Sequence, residues 1–185
     1  LKDKSSLQAL SERCRASGIK ITAFCLPNRF DRRPKEELTW LIDTIEYAAE
    51  LEIPAVRIDV VPGKNWGDEK EFLKLAAGII KKALKATSGL PVRLGVENHG
   101  RVTNRPEFLS ALFEEVGSTR FGLTLDTGNF YWYGFPLNEL YKIYERFARR
   151  VFHTHIKSIN YPHDKENTRR PIGWQYGKWL SLIHI

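Results

Sequence analysis

Gly122-Leu-Thr-Leu-Asp126-Thr-Gly-Asn129-Phe-Tyr-Trp-Tyr-Gly134 opens as a short apolar strand and ends on a carboxylate. Gly128 follows two residues later, and an aromatic loop, Phe130-Tyr131-Trp132-Tyr133, comes behind it. A carboxylate where a hydrophobic strand stops is how a parallel-sheet enzyme holds a metal or a substrate at the mouth of its sheet. Asp before a turn is also ordinary loop chemistry, so the neighbouring strands decide between the two readings.

Upstream, Ser5 to Ser17 carries Leu7, Leu10 and Cys14 at helical spacing, and Gly18 stops that helix. Ile19–Leu26 reads as a strand, Asn28–Pro34 as a basic loop, and Lys35–Glu52 as an amphipathic helix with Leu38, Leu41, Ile42 and Ile45 on one face. Ala55–Val60 is the next strand. Asp68–Thr87 is a helix with a Phe72, Leu75, Ala76, Ile79, Ile80, Leu84 stripe, and Val92–Glu97 is a third strand. Asn104 and Glu107 are spaced to form a capping box ahead of a helix through Val116. Downstream, Pro136–Arg150 reads as a helix, Val151–Lys157 as a strand, and Asn160–Lys178 as a loop. Strands therefore begin about 30–37 residues apart, each separated by a helix, which implies parallel strands joined by helical crossovers. A doubly wound sheet and a (β/α)8 barrel both fit. The lack of a G-x-G-x-x-G turn after the first strand weighs against a dinucleotide fold.

The strand faces separate the two. Side chains alternate along a strand. Val56, Ile58, Val60, Val92, Leu94, Val96, Leu123, Leu125, Phe152 and Ile156 form one, apolar face. The other face carries Arg57, Asp59, Arg93, Gly95, Glu97, Gly122, Thr124, Asp126, His153, His155 and Lys157; Thr154 breaks the pattern on the first face. A doubly wound sheet is covered by helices on both sides and its strands read apolar throughout. One apolar face under helices and one charged face suits a barrel interior opening on an active site. The fold expected is α/β, an incomplete TIM barrel of about five parallel strands alternating with helices.

Composition sets the bounds. The 185 residues suffice for one domain, placed at residues 1–179, and no apolar run reaches the ~20 residues of a membrane span. Residue 1 is Leu and there is no methionine, so the chain reads as a piece of a longer one. Leu180-Ser-Leu-Ile-His-Ile185 resembles a translated adapter and is read as a non-native tail. Cys14 and Cys25 have no metal or C-x-x-C spacing and read as free thiols in a reducing cytoplasm. The net charge of +7 is interleaved with acids along helix faces, which suits a solvated surface better than nucleic acid.

Glu97, Asp126 and His155 end three successive strands on the polar face, a fitting ligand set for Mn²⁺, Mg²⁺, Co²⁺ or Zn²⁺. His99, Asn129 and Lys157 lie two or three residues beyond. The segments Val92-Arg-Leu-Gly-Val-Glu97-Asn-His99-Gly, Gly122-Leu-Thr-Leu-Asp126-Thr-Gly-Asn129 and Val151-Phe-His-Thr-His155-Ile-Lys157 resemble the xylose isomerase-like TIM barrels. More narrowly, they are similar to the sugar phosphate isomerase/epimerase family, over about residues 5 to 160. The resemblance implies that Glu97, Asp126 and His155 bind a divalent metal, with a fourth ligand, a Glu of the final strand, beyond this chain. It implies that Glu97 is also one of two acid/bases. Asn129 stands where that family often has His, which argues against its three-zinc endonuclease branch.

The chemistry implied is isomerisation or epimerisation of a small carbohydrate by proton transfer next to a carbonyl. Lys157 and Arg57 either stabilise an oxyanion or bind phosphate, or pair internally with Asp59 or Glu97. His153 either orients a ligand or is a satisfied polar residue; His99 contacts substrate or folds its loop; Trp132 with Tyr131 and Tyr133 walls the sugar or packs on the next helix. A lyase or dehydratase acting on a polyol, an apurinic endonuclease-like enzyme and a non-catalytic binding descendant are the other readings. The chain by itself is expected to be poorly soluble, from its open sheet edges, and to turn over little.

Overall fold

In the computed structural model, which describes residues 4–63, 66–160 and 178–184, the alternation read from the sequence builds one six-stranded sheet. The elements run α1 (Lys4–Ala16), β1 (Ala23–Leu26), α2 (Pro34–Glu50), β2 (Ala55–Ile58), α3 (Glu69–Ala86), β3 (Arg93–Glu97) and α4 (Pro106–Val116). They continue with β4 (Phe121–Asp126), α5 (Asn129–Tyr133), α6 (Leu137–Phe147), a 3-10 turn at Ala148–Arg150, β5 (Val151–Asn160) and β6 (Lys178–His184). The strands lie in chain order; β1 to β5 pair in parallel, and β6 pairs antiparallel with β5. Were the sheet flat, β1 and β5 would sit about 19 Å apart, four spacings of ~4.8 Å. Instead Cys25 Sγ of β1 lies 3.9 Å from His155 Nε2 of β5. The five parallel strands are curled into part of a barrel, with helices outside and the charged face within.

The outer layer closes on the stripes that the periodicity predicts. Val56, Ile58, Leu94, Val96 and Leu123 are buried against Leu41, Ile45, Phe72, Ala76, Ile80, Leu109 and Leu112. Asp68 caps α3, accepting from the amides of Lys70 at 2.7 Å and Glu71 at 3.4 Å. The far end of α3 is tied to the sheet by Arg120. Its guanidinium donates to the carbonyls of Leu84 (3.3 Å), Thr87 (2.8 Å) and Val92 (3.1 Å), joining the end of the helix to the residue ahead of β3.

Several local expectations are corrected. Residues 19–22 lie outside β1, which starts at Ala23. The capping box at Asn104 does not form: Arg105 is the cap residue and has no side-chain cap bond. Pro106 opens α4 and has no N–H to be capped, and Asn104 turns back to donate to the Gly100 carbonyl at 2.7 Å. The aromatic segment read as a loop is the short helix α5. Residues 178–184, mostly within the expected tail, form β6, while 161–177 of the expected loop lie outside the described residues.

Strict alternation puts Phe152 under the helices, on the apolar face, and the structure does not. The β4–β5 register jumps at Leu123/Thr124, because Leu123 pairs with Val151 but Thr124 pairs with His153. Phe152 is thus the extra residue of a bulge. Its ring lies on the inner face, with the Arg93 guanidinium 4.8 Å from the ring centroid. Without the bulge Thr154 would stand opposite Asp126; with it His155 does. Gly122 makes room for this. A Cβ there would overlap the Arg150 carbonyl oxygen and come 2.7 Å from the Phe152 ring.

Gly122→Ala is therefore expected to destabilise the protein by about 1–3 kcal/mol through overpacking against backbone that cannot retreat. Urea unfolding measures it, and an unchanged midpoint would show that the bulge does not depend on this glycine.

Candidate metal centre

Glu97, the last residue of β3, is 3% exposed, and a buried carboxylate must be paired. Arg57 of β2 provides the pairing: its Nε and Nη2 both contact Glu97 Oε2. The same guanidinium bonds Asp59 (Nη1 to Oδ2 3.2 Å, Nη2 to Oδ1 3.0 Å) and donates from Nη1 to the Leu26 carbonyl at 3.2 Å. Asp59 in turn sits 3.0 Å from His99 Nδ1, a hydrogen bond that raises the imidazole above its ordinary range. The expected internal pairing of Arg57 with Asp59 or Glu97 is thus made with both.

Asp126 ends β4 with no exposed surface. Its Oδ1 accepts from the backbone amides of Gly128 (2.9 Å) and Asn129 (3.1 Å), so the Asp-Thr-Gly-Asn turn itself orients the carboxylate. Its Oδ2 is ion-paired with Lys157 Nζ. Asn98, the residue after Glu97, takes the place of a strand partner. Its Oδ1 accepts from Asp126 N at 2.8 Å and its Nδ2 donates to Asp126 O at 3.0 Å, locking the ends of β3 and β4 together. Asn129 bridges the two carboxylates, donating from Nδ2 to Glu97 Oε1 at 3.3 Å and accepting from Lys157 Nζ at 3.3 Å.

His155 of β5, 6% exposed, faces both. Its Nδ1 donates to Glu97 Oε1 at 3.2 Å, and its Nε2 is the atom 3.9 Å from Cys25 Sγ. The contacts with Cys25 and Glu97 outweigh burial and lift the imidazole to about 9. Burial alone would raise Glu97, but the His155 hydrogen bond and the Arg57 charge hold it down at about 2. Asp126 is pushed up by burial, against the Lys157 ammonium and the Gly128 amide.

One ligand atom from each of Glu97, Asp126 and His155 lies within 4.8 Å of the others. Two hard oxygens and an imidazole nitrogen, with the carboxylates held from behind by Asn129, Arg57 and backbone amides, fit a divalent cation. Asp59, Glu97 and His99 also cluster, but Arg57 already occupies the space between their carboxylates.

The other expected residues fall around this centre. Lys157 and Asn129 touch it directly. His153 stacks edge-on to His155, with ring centroids 5.2 Å apart. Trp132 is half-buried on α5, and the neighbouring Tyr133 stacks on Phe135. Alternation along the strands puts Asp59 on the right face as an ion-pair partner but does not announce its contact with His99. It passes over Asn98, which belongs to the opposite face by the same rule. It also passes over Cys25, whose only signal is its alternation with outward-facing Phe24 and Leu26.

The sequence profile of the xylose isomerase-like TIM barrel family matches residues 2–184. None of the curated protein sequences compared with the chain matches it. Among solved structures, a xylose isomerase domain protein from Planctomyces limnophilus superposes with a TM-score of 0.69 at 16% identity, over 97% of this chain and 67% of that one. A xylose isomerase-like TIM barrel protein from Mycobacterium smegmatis, in complex with magnesium, gives 0.73 at 15% identity over 88% and 59%. The IOLI protein with a bound zinc atom gives 0.68 at 21% identity over 85% and 58%. An L-ribulose 3-epimerase, a D-tagatose 3-epimerase-like protein and a mannonate dehydratase from Streptococcus suis share the same fold. The chain spans 58 to 67% of the length of the first three structures. With the family profile matched from residue 2 to residue 184 and the curled parallel sheet it implies, the chain belongs to the xylose isomerase-like TIM barrel family.

Proposed function

We propose that the protein carrying this chain is a divalent-metal-dependent isomerase or epimerase of a sugar, sugar phosphate or polyol. In this reading Glu97, Asp126 and His155 hold the metal, and Glu97 and Lys157 act on the substrate. The observation that supports it best is the convergence of two buried carboxylates at the C-terminal ends of β3 and β4 with the imidazole of His155, which pairs with Asp126 where β4 ends, at the end of the sheet where barrel enzymes carry their chemistry. The epimerases among the structures of this fold, and those with magnesium or zinc, point the same way.

When bound, the ion would supply a Lewis acid for the carbonyl and hydroxyl oxygens of the substrate. The rest falls to the chain. Glu97, kept ionised by His155 and Arg57, takes the proton from the carbon beside the carbonyl. Asn129 fixes the carboxylate that does so, and Lys157 presents an ammonium to the oxygen on which negative charge grows. Arg57 and His99 line the approach, with His99 half-exposed at the rim. Trp132 offers a ring face to the sugar, and His153 braces the His155 ring edge-on. A dehydratase would use the same ligands, and the products distinguish it.

With Mn²⁺ and a panel of ketoses in D₂O, the protein should place deuterium on the carbon next to the carbonyl. Glu97→Gln should slow this by about 10²–10⁴-fold. Cleavage of an abasic duplex without ketose turnover would overturn the reading, and loss of water from the sugar would assign the dehydratase.

Metal uptake should also depend on pH, since His155 must shed a proton to ligate. As its imidazole is lifted to about 9, the proton is present at neutral pH and competes with the ion. Affinity should climb roughly tenfold per pH unit up to that value, with about one proton released per ion. Calorimetry in buffers of different ionisation enthalpy counts it; no release at neutral pH would remove His155 from the ligand set.

A further inference from the structure

We propose that Lys157 is a built-in stand-in for the metal: its ammonium neutralises Asp126 in the metal-free protein, and the ion displaces it toward the substrate's oxygens. The inference rests on the metal reading given above and concerns how that centre is loaded.

Asp126 has one ligand atom to give. Its Oδ1 is held by the amides of Gly128 and Asn129, and its Oδ2 is the atom Lys157 occupies. A dication on Oδ2 and an ammonium on the same oxygen repel, and that repulsion is weakly screened where Asp126 has no exposed surface. One of the two must leave. Without either, a buried charge would stand uncompensated, which is why a metal-free centre needs an internal cation.

Glu97 also carries a cation, but Arg57 is not built to leave. Its planar fork is fixed at once by Glu97, Asp59 and the Leu26 carbonyl. Lys157 differs on each count. Its charge is a single point on a flexible four-carbon stem, and its side chain is 23% exposed. The backbone beneath the stem is pinned: Lys157 N donates to Thr127 Oγ1 at 2.9 Å, and Thr127 Oγ1 donates to Lys157 O at 3.1 Å. Only the stem swings. An acceptor waits beside Asp126, since Asn129 Oδ1 already lies 3.3 Å from Nζ and is held in place by the Asn129–Glu97 bond.

The test compares Mn²⁺ and Zn²⁺ binding by calorimetry, and thermal melting without metal, for the wild type, Lys157→Gln and Asp126→Asn. Lys157→Gln should bind the ion about tenfold more tightly, within the usual range for coupled sites, while its metal-free form melts at a lower temperature. A lysine serving only the fold would lower both. Equal or weaker binding by Lys157→Gln, with the wild type binding normally, overturns the stand-in and leaves the metal reading intact. If the wild type binds neither ion, or if Asp126→Asn binds as well as the wild type, the metal reading itself falls. Should Lys157→Gln not fold, reductive methylation of the wild type provides the second measurement. Metal should raise labelling of Lys157 relative to Lys81 and Lys85, and unchanged or reduced labelling overturns the proposal.

Discussion

An ionised carboxylate that is almost wholly buried must have positive charge beside it, and in this protein Glu97 finds it in Arg57 and His155. That requirement reaches beyond the site. Arg57 comes from β2 and His155 from β5, so satisfying one side chain of β3 joins strands on either side of it. The apolar stripes under the helices bind the sheet from outside without fixing how strongly it curls. The charged contacts inside, together with Cys25 against His155, are what hold β1 and β5 within reach of each other. Packing makes the layers, and charge pairing closes the curve.

The same pairing divides the barrel interior by height. Near the strand starts, the inner face is filled by small residues and one ring: Gly95, Gly122 and Phe152 beside Arg93. A Cβ on Gly95 would overlap Thr124 Oγ1, so that position admits no side chain. Near the strand ends it carries Glu97, Asp126, His155 and Lys157. The bulge at Phe152 joins the two levels, because the ring that fills the lower one also shifts the register that brings His155 opposite Asp126 in the upper one. A packing decision at Gly122 thus sets the geometry of a charged centre further along the same strand.

Much of this is legible in the sequence. Helical and strand periods are local, and the helices expected from them are present, those from α2 to α4 with their stripes inward, while α6 leaves Leu137 and Tyr141 exposed and buries Ile143 with Leu140 and Phe147. The alternation of faces puts Glu97, Asp126 and His155 on one charged face with Arg57, Asp59, His153 and Lys157, and their places towards the strand ends then single out the three. What escapes it is non-local or depends on a broken period. Phe152 falls on the wrong face because a bulge inverts the alternation, and nothing in Val151–Lys157 announces one except the misplaced Thr154. Asn98 gives no signal because its role is to imitate a backbone partner across the sheet, a contact defined by register. At Asn104 the capping pattern loses to Pro106, which opens the helix and makes Arg105 the cap residue, and to a loop carbonyl that takes the side-chain amide as its donor.

The residues around the centre also differ in how they are held, and that difference bears on what the centre can do. Asn98, Asn129 and Arg57 each have two or more anchors, so they can keep two carboxylates aimed at one point while partners exchange. His99 leans on Asp59 with half its side chain in solvent, and Lys157 reaches Asp126 along a flexible stem. Rigid groups fix where charge collects; movable ones fix what neutralises it at each stage. A site meant only to stabilise the fold would gain nothing from leaving its compensating charge on the more mobile of its two cations. In the proposed reading, arginine on Glu97 and lysine on Asp126, and not the reverse, leave Asp126 as the carboxylate whose charge can change hands.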